Sequence, residues 1–199
     1  MYKLLKRVVI SGHPGTGTTT LIDKLAKLYN LKAEQVIKVG SLFRQNSKEK
    51  TGQDITGYYQ REITEDLSID DMQKKLLSDP NPDVLFILES RLGGFFTTEI
   101  GHPANIVTLL LNTDEQVRLR RVFERDHPDI SFEEYCQKTR QRQDQDLKQW
   151  QLAYPQMDNN PLDDPKLYDI QVDNSNLDIN QTTEEVNKKL LEIEAVEES

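Results

Sequence analysis

Residues 7–10 form a short β-branched run that stops at Ser11-Gly12, which predicts a buried strand. The rhythm then changes: Leu21, Leu25 and Leu28 recur at helical spacing and predict a helix over 18–29. Residues 35–39 read as a second strand and 41–50 as a helix punctuated by Thr51-Gly52. One or two polar helices follow over 55–77 and end at the breakers Asp79-Pro80-Asn81-Pro82. The run Val84-Leu85-Phe86-Ile87-Leu88 is continuously apolar, as a parallel strand covered on both faces would be. Gly93-Gly94 and Gly101-His102-Pro103 mark loops before a strand at 106–111.

Asn112-Thr113-Asp114 offers a cap for a helix over 115–125, and Ser131 with Glu134 fits a capping box opening a helix towards Trp150. A short strand at 168–172 and a helix at 182–195 complete the chain, whose acidic end (Glu192, Glu194, Glu197, Glu198) reads as a solvated fray. Strands alternating with helices predict a three-layer α/β fold with a mostly parallel five-stranded sheet. The stretches 41–80 and 120–150 are too polar for core and read as flanking lobes of one 199-residue domain.

Composition narrows the function classes. With 36% hydrophobic and 30% charged residues, 9 Gly and 8 Pro, the chain is neither collagen-like nor low-complexity nor a membrane span. The excess of 34 acids over 25 bases argues against broad affinity for nucleic acid or anionic lipid. The lone Cys136 cannot form an intrachain disulfide, and the run Val8-Val9-Ile10 is too short for a signal sequence, so a reducing cytoplasm is the expected compartment. His13, His102 and His127 follow no ligand spacing, which argues against a zinc site.

The chemistry concentrates at Gly12-His13-Pro14-Gly15-Thr16-Gly17-Thr18-Thr19-Thr20, between a predicted strand and a predicted helix. Glycines in that context let the backbone N–H groups curl inward, and the helix N-terminus adds partial positive charge, so a triphosphate can be held. An ordinary glycine turn capping a helix is the plainer alternative. Gly12 and Gly17 meet the Gly-x-x-x-x-Gly spacing; Thr18 stands where a lysine is expected, and Thr19 takes the hydroxyl position that ligates Mg2+.

With that lysine absent, charge must come from elsewhere. Arg118, Arg121 and Arg125 share a helix face, with Arg140 and Arg142 beyond; they read either as phosphate ligands or as a solvated charged face. Arg44 begins a helix after the second strand, and Arg91 follows the apolar run 84–88, where ligands of open α/β sheets bind. Glu89 is either a strand-end carboxylate or the holder of a water in the Mg2+ shell.

The ordered set 12–20, Gly40-Ser41-Leu42-Phe43-Arg44, Ile69-Asp70-Asp71-Met72-Gln73, Glu89-Ser90-Arg91-Leu92-Gly93-Gly94, Arg121 to Arg125, 142–146 and Tyr168-Asp169-Ile170 resembles the nucleoside monophosphate kinases, and among them the archaeal-type cytidylate kinases. The resemblance spans nearly the whole chain. It implies a P-loop core, a monophosphate-binding lobe at 41–80 and a lid at 121–145. It implies phosphoryl transfer from MgATP to CMP or dCMP in a monomer, with no nucleic acid or membrane partner. An adenylate-type or other small monophosphate kinase, or a nucleotide-binding module with reduced turnover, are the alternatives. By the same resemblance Arg44, Arg91 and Asp146 bind the monophosphate, Arg121, Arg125 and Arg142 close over the transferring group, and 12–20 bind ATP. Gln149 and Trp150 stand where an arginine and a tyrosine are usual, and Ser90 replaces a glycine. The sequence leaves open the preferred base, the effect of Gln149 on activity, the oligomeric state and physiological partners.

Overall fold

In the computed structural model, residues 2–43, 63–126 and 129–198 are described. The five-stranded sheet is parallel throughout, in the order β3-β4-β2-β5-β6, formed by β2 (Arg7–Gly12), β3 (Val36–Lys38), β4 (Ile87–Glu89), β5 (Ile106–Asn112) and β6 (Ile170–Asp173). Side chains alternate across it. Val8, Ile10, Leu109 and Val172 meet Leu21, Ile22 and Leu25 of α1 (Thr18–Leu28) and Val186 and Leu190 of the C-terminal helix Ile179–Glu192. Val9, Leu88 and Ile106 face the other layer. That layer holds α2 (Ile63–Leu77), α3 (Gly93–Glu99) and the end of the long helix Phe132–Ala153.

A further helix, α4 (Glu115–Asp126), forms a hairpin with Phe132–Ala153, which becomes α5, and Ile179–Glu192 becomes α6. Phe123 stacks edge-on against Phe132 and Tyr135, and Arg140 grips Glu115 through two hydrogen bonds of 3.1 and 2.7 Å. Asp114 caps α4 by accepting from the N–H groups of Gln116 and Val117. Ser131 accepts from the Glu134 N–H as expected, but the Glu134 carboxylate pairs with Lys138 at 2.8 Å.

Several expectations are corrected. The strand expected at 84–88 is shortened to Ile87–Glu89, because the Val84 carbonyl accepts from the Arg7 side chain. β6 starts at Ile170 rather than 168, since the Asp169 carboxylate takes the Thr108 N–H and hydroxyl at 2.8 and 3.0 Å. The helix expected at 182–195 begins at Ile179, capped by Asp178 with Gln181 returning the bond. The acidic end is no fray: β7 (Val196–Glu198) pairs antiparallel with β1 (Tyr2–Leu4), burying Val196 and Leu4. Segment 63–77 is polar overall yet buries Ile69, Asp70, Gln73 and Leu77. Residues 39–43 are helical, and the rest of the helix expected at 41–50 lies outside the described residues, as do 51–62.

Arg7 is 1% exposed and has carbonyls as partners: Val84 at 2.9 Å, Leu77 at 3.2 Å and Asn81 at 2.7 Å, with the guanidinium over Phe86. It therefore ties the start of β2 to the end of α2. Replacing it with leucine takes the side-chain donor from the Val84 and Leu77 carbonyls, while the Asn81 carbonyl keeps the Val84 N–H, and should lower the unfolding free energy by about 3 kcal/mol in urea titrations. A loss under about 1 kcal/mol would mean that other donors reach these carbonyls.

Candidate active site

Strands β2 and β4 are neighbours, but the helices that follow them, α1 and α3, cover opposite faces of the sheet. Ligands of open α/β sheets bind beyond the carboxyl ends of such a pair, and the 12–20 loop and the turn 89–91 both lie at those ends. The loop is shaped by its own backbone and by two outside contacts. The Thr16 N–H donates to the His13 carbonyl at 3.1 Å, and the Asn174 amide donates to the Thr16 carbonyl at 2.9 Å. Gly15 adopts φ 92°, and a Cβ there would fall 2.5 Å from the Arg118 carbonyl oxygen. Gly17 caps α1 with no side chain and no acid follows in the first turn, so the helix presents unpaired N–H groups to an anion.

Thr18 and Thr19 both donate to the same Glu89 oxygen, Oε1, at 2.6 and 2.8 Å. The other oxygen, Oε2, is buried without a partner. A buried carboxylate oxygen lacking a donor, beside a hydroxyl, fits a hard cation such as Mg2+, which uses one or two carboxylates and completes its shell with water and phosphate. Among the described residues no three His, Cys, Asp or Glu side chains gather into a metal cage. Thr18 thus supplies no positive charge; its hydroxyl holds the acid.

Arg91 and Asp146 come together: Nη1 of Arg91 donates to the Asp146 carboxylate at 2.5 Å, and its guanidinium lies 4.9 Å from the Trp150 ring centre. Arg44 lies outside the described residues, as does His127. Arg118, Arg121 and Arg125 of α4 share a face but part in their contacts. Arg118 is 5% exposed, donating to the Pro14 carbonyl and, with the Gln143 amide oxygen turned towards it, to that residue at 3.0 and 3.3 Å. Burial pulls its pKa below the ordinary arginine value, against the opposing pull of Glu115. Arg121 donates to the Asn174 carbonyl at 3.1 Å, one residue removed from the loop. Arg125 is exposed and paired with its neighbour Asp126 at 2.6 Å, a bond that raises its pKa. Arg142 is half-buried on α5.

Three features escaped the sequence reading. Asn174 bridges Thr16, Arg121 and Thr113, and its only sequence signal was the turn after the last strand, at the sheet end where ligands bind. Asp163 bonds the His13 ring at 2.8 Å, and that bond, ahead of the Arg118 charge, holds the Asp163 carboxyl below its usual range. Trp150 stacks on Arg91. A groove of about 560 Å³ between β6 and α6, lined by Gln171, Gln181 and Lys188 among others, borders none of these residues.

A glycine loop between a central strand and an uncapped helix, with hydroxyls on the next strand's acid, defines a P-loop phosphotransferase. Residues 11–151 match the family model described as AAA domain. The chain is 31% identical over 169 residues to the cytidylate kinase of Methanosarcina barkeri, covering 84% of this chain and 86% of that protein. It is 32% identical over 151 residues to the cytidylate kinase of Methanosphaerula palustris, covering 74% and 78%. A gluconokinase structure from Sinorhizobium meliloti 1021 superposes with a TM-score of 0.58 at 13% identity, covering 96% of this chain and 94% of that one, which is a likeness of fold. The chain belongs to this AAA-domain family and, within it, to the nucleoside monophosphate kinases alongside those of archaeal cytidylate type.

The His13–Asp163 contact has a pH signature. A carboxyl whose pKa is lowered on folding adds stability above its unfolded value, about 4, and loses it as the pH falls through the folded value. Asp163→Asn should therefore melt below the parent at pH 7, by the equivalent of no more than about 1 kcal/mol for so exposed a side chain. The two melting curves should converge as the pH falls through the folded value; a gap independent of pH would assign the effect to packing.

Proposed function

We propose that this kinase transfers the γ-phosphoryl group of MgATP to CMP or dCMP, giving ADP and CDP or dCDP, in the cytoplasm. The observation that carries the reading is the pairing of two anion sites across one crevice: the 12–20 loop with the α1 N-terminus, and Arg91 on the neighbouring strand end. The similarity to archaeal cytidylate kinases supports the choice of base.

In this reading residues 12–20 hold the triphosphate, and Arg91 with Arg44 receives the phosphate of the acceptor. Thr19 and Glu89 would hold Mg2+, which when bound neutralises charge on the β and γ phosphates. The bond from the γ phosphorus to its bridging oxygen breaks as one forms to an acceptor phosphate oxygen, so the protein's task is positioning and charge stabilisation. Arg121, Arg125 and Arg142 supply that charge as the 121–145 hairpin closes, and Arg125 leaves Asp126 to do so. Asp146, released from Arg91 when the monophosphate arrives, becomes free to bind the nucleoside. Exchange of one anionic partner of Arg91 for another keeps its charge compensated throughout.

The purified chain, given ATP and each monophosphate in turn, should phosphorylate CMP and dCMP best. Faster turnover of AMP or UMP would overturn the cytidine preference, and no turnover at all would overturn the kinase reading. Arg91→Ala should raise KM for CMP by about 10- to 100-fold, the loss of a charge-assisted bond, while KM for ATP stays within about threefold. Equal effects on both substrates would remove Arg91 from the acceptor site.

A further inference from the structure

Behind Arg91 runs a buried chain of hydrogen bonds that the reaction itself does not require. The Ser90 N–H donates to the Ile10 carbonyl at 3.1 Å, and the Ser90 carbonyl accepts from the Ser11 hydroxyl at 2.6 Å. The Ser90 hydroxyl donates to Oε1 of Gln73 at 2.5 Å and accepts from the Leu92 N–H at 3.2 Å. The Gln73 amide donates to Oδ1 of Asp70 at 3.0 Å, and the Tyr154 hydroxyl donates to Oδ2 of Asp70 at 2.9 Å. Ser90, Asp70 and Gln73 are 3%, 4% and 1% exposed.

Tyr154 immediately follows α5, the helix that carries both Asp146 and Trp150. The contacts therefore close into a ring: Arg91 to Asp146 and Trp150, along α5 to Tyr154, through Asp70 and Gln73 to Ser90, and back to Arg91 along the backbone. α2, α5 and the turn 89–91 meet in it. Its members are matched as donors and acceptors: Gln73 gives its N–H to the acid and its oxygen to the serine, and Tyr154 remains a phenol because burial, then the Asp70 charge, raise its pKa. Buried polar networks of this kind fix one arrangement of the elements they join, since a half-satisfied member is costly.

We propose that Ser90 and Gln73 are positioning residues that set the Arg91 guanidinium for the acceptor phosphate through this ring. The inference rests on the reading of Arg91 as a monophosphate ligand. Asp146 lets go of Arg91 when the phosphate arrives, but Ser90 still fixes the turn from behind, and Tyr154 still anchors the end of α5. Arg91 is then held in place for the acceptor without its ion pair.

Trp150 is the one tryptophan in the chain, so its fluorescence reports on the Arg91 stack without any substrate. Ser90→Ala and Gln73→Leu should each shift its emission in the direction that Arg91→Ala does, while the exposed Leu152→Ala leaves it unchanged. Each should raise KM for CMP about tenfold with kcat and KM for ATP within about twofold, and the double variant should be no worse than the worse single one, as for one shared contact. Unaltered emission in both single variants overturns the ring. A changed emission with unaltered KM for CMP, additive effects, or kcat and both KM values moving together overturn the positioning role. Should Gln73→Leu fail to fold, Ser90→Ala, which removes one hydroxyl, carries the test. Absence of turnover by the parent with every monophosphate would overturn the kinase reading and the acceptor-positioning role with it, whereas unaltered tryptophan emission in the variants of an active parent would overturn the ring and leave the kinase reading standing.

Discussion

Strand β2 is the constraint on which the rest of the structure depends. All six of its residues are buried, and parallel partners flank it on both sides. A backbone held in this way cannot move without breaking two ladders. The glycine loop begins where that support ends, so its N–H groups start from a fixed origin. The same ladder places Ile10 beside Glu89, which brings the acid of one strand under the hydroxyls that follow the other. Arg7 anchors the opposite end through three carbonyls.

The absence of the expected lysine changes how charge is arranged around the loop. Thr18 joins Thr19 in holding Glu89, while positive charge is distributed over arginines at different depths. Arg118 is built into the underside of the loop, Arg121 reaches it through Asn174, and Arg125 waits in solvent against Asp126. A buried arginine holds its place whatever is bound, whereas an exposed one exchanges partners at little cost because water screens its ion pair. α4 therefore carries a buried arginine near its start and an exposed one near its end.

Arg91 and Asp146 illustrate a related economy. Both belong to the expected acceptor site, and in the structure each is the other's partner, with Trp150 beside them. An unpaired arginine in a half-buried position would be costly, and the Asp146 carboxylate compensates its charge; in the proposed function an anion takes the place of that carboxylate. Ser90, Gln73, Asp70 and Tyr154 form a buried hydrogen-bonded frame behind that pair, in which the proposed exchange would take place.

The sequence by itself determined the alternation of strands and helices, the glycine loop with its hydroxyls, and the positions of Glu89 and Arg91 at one strand end, because apolar period, glycine spacing and breakers are local signals. It misjudged what long-range partners decide. The strand at 84–88 was shortened by a side chain 77 residues away, and the acidic C-terminus was drawn into a strand by the N-terminal one. Helix α2 looked too polar for the core, yet its Asp70 and Gln73 are buried because Ser90 and Tyr154 satisfy them. Likewise 3.6-residue spacing put Arg118, Arg121 and Arg125 on one face, but only the packing of α4 against the loop gave them different depths. Tertiary structure decided these points because burial of a polar group depends on a partner, and the partner is remote in sequence.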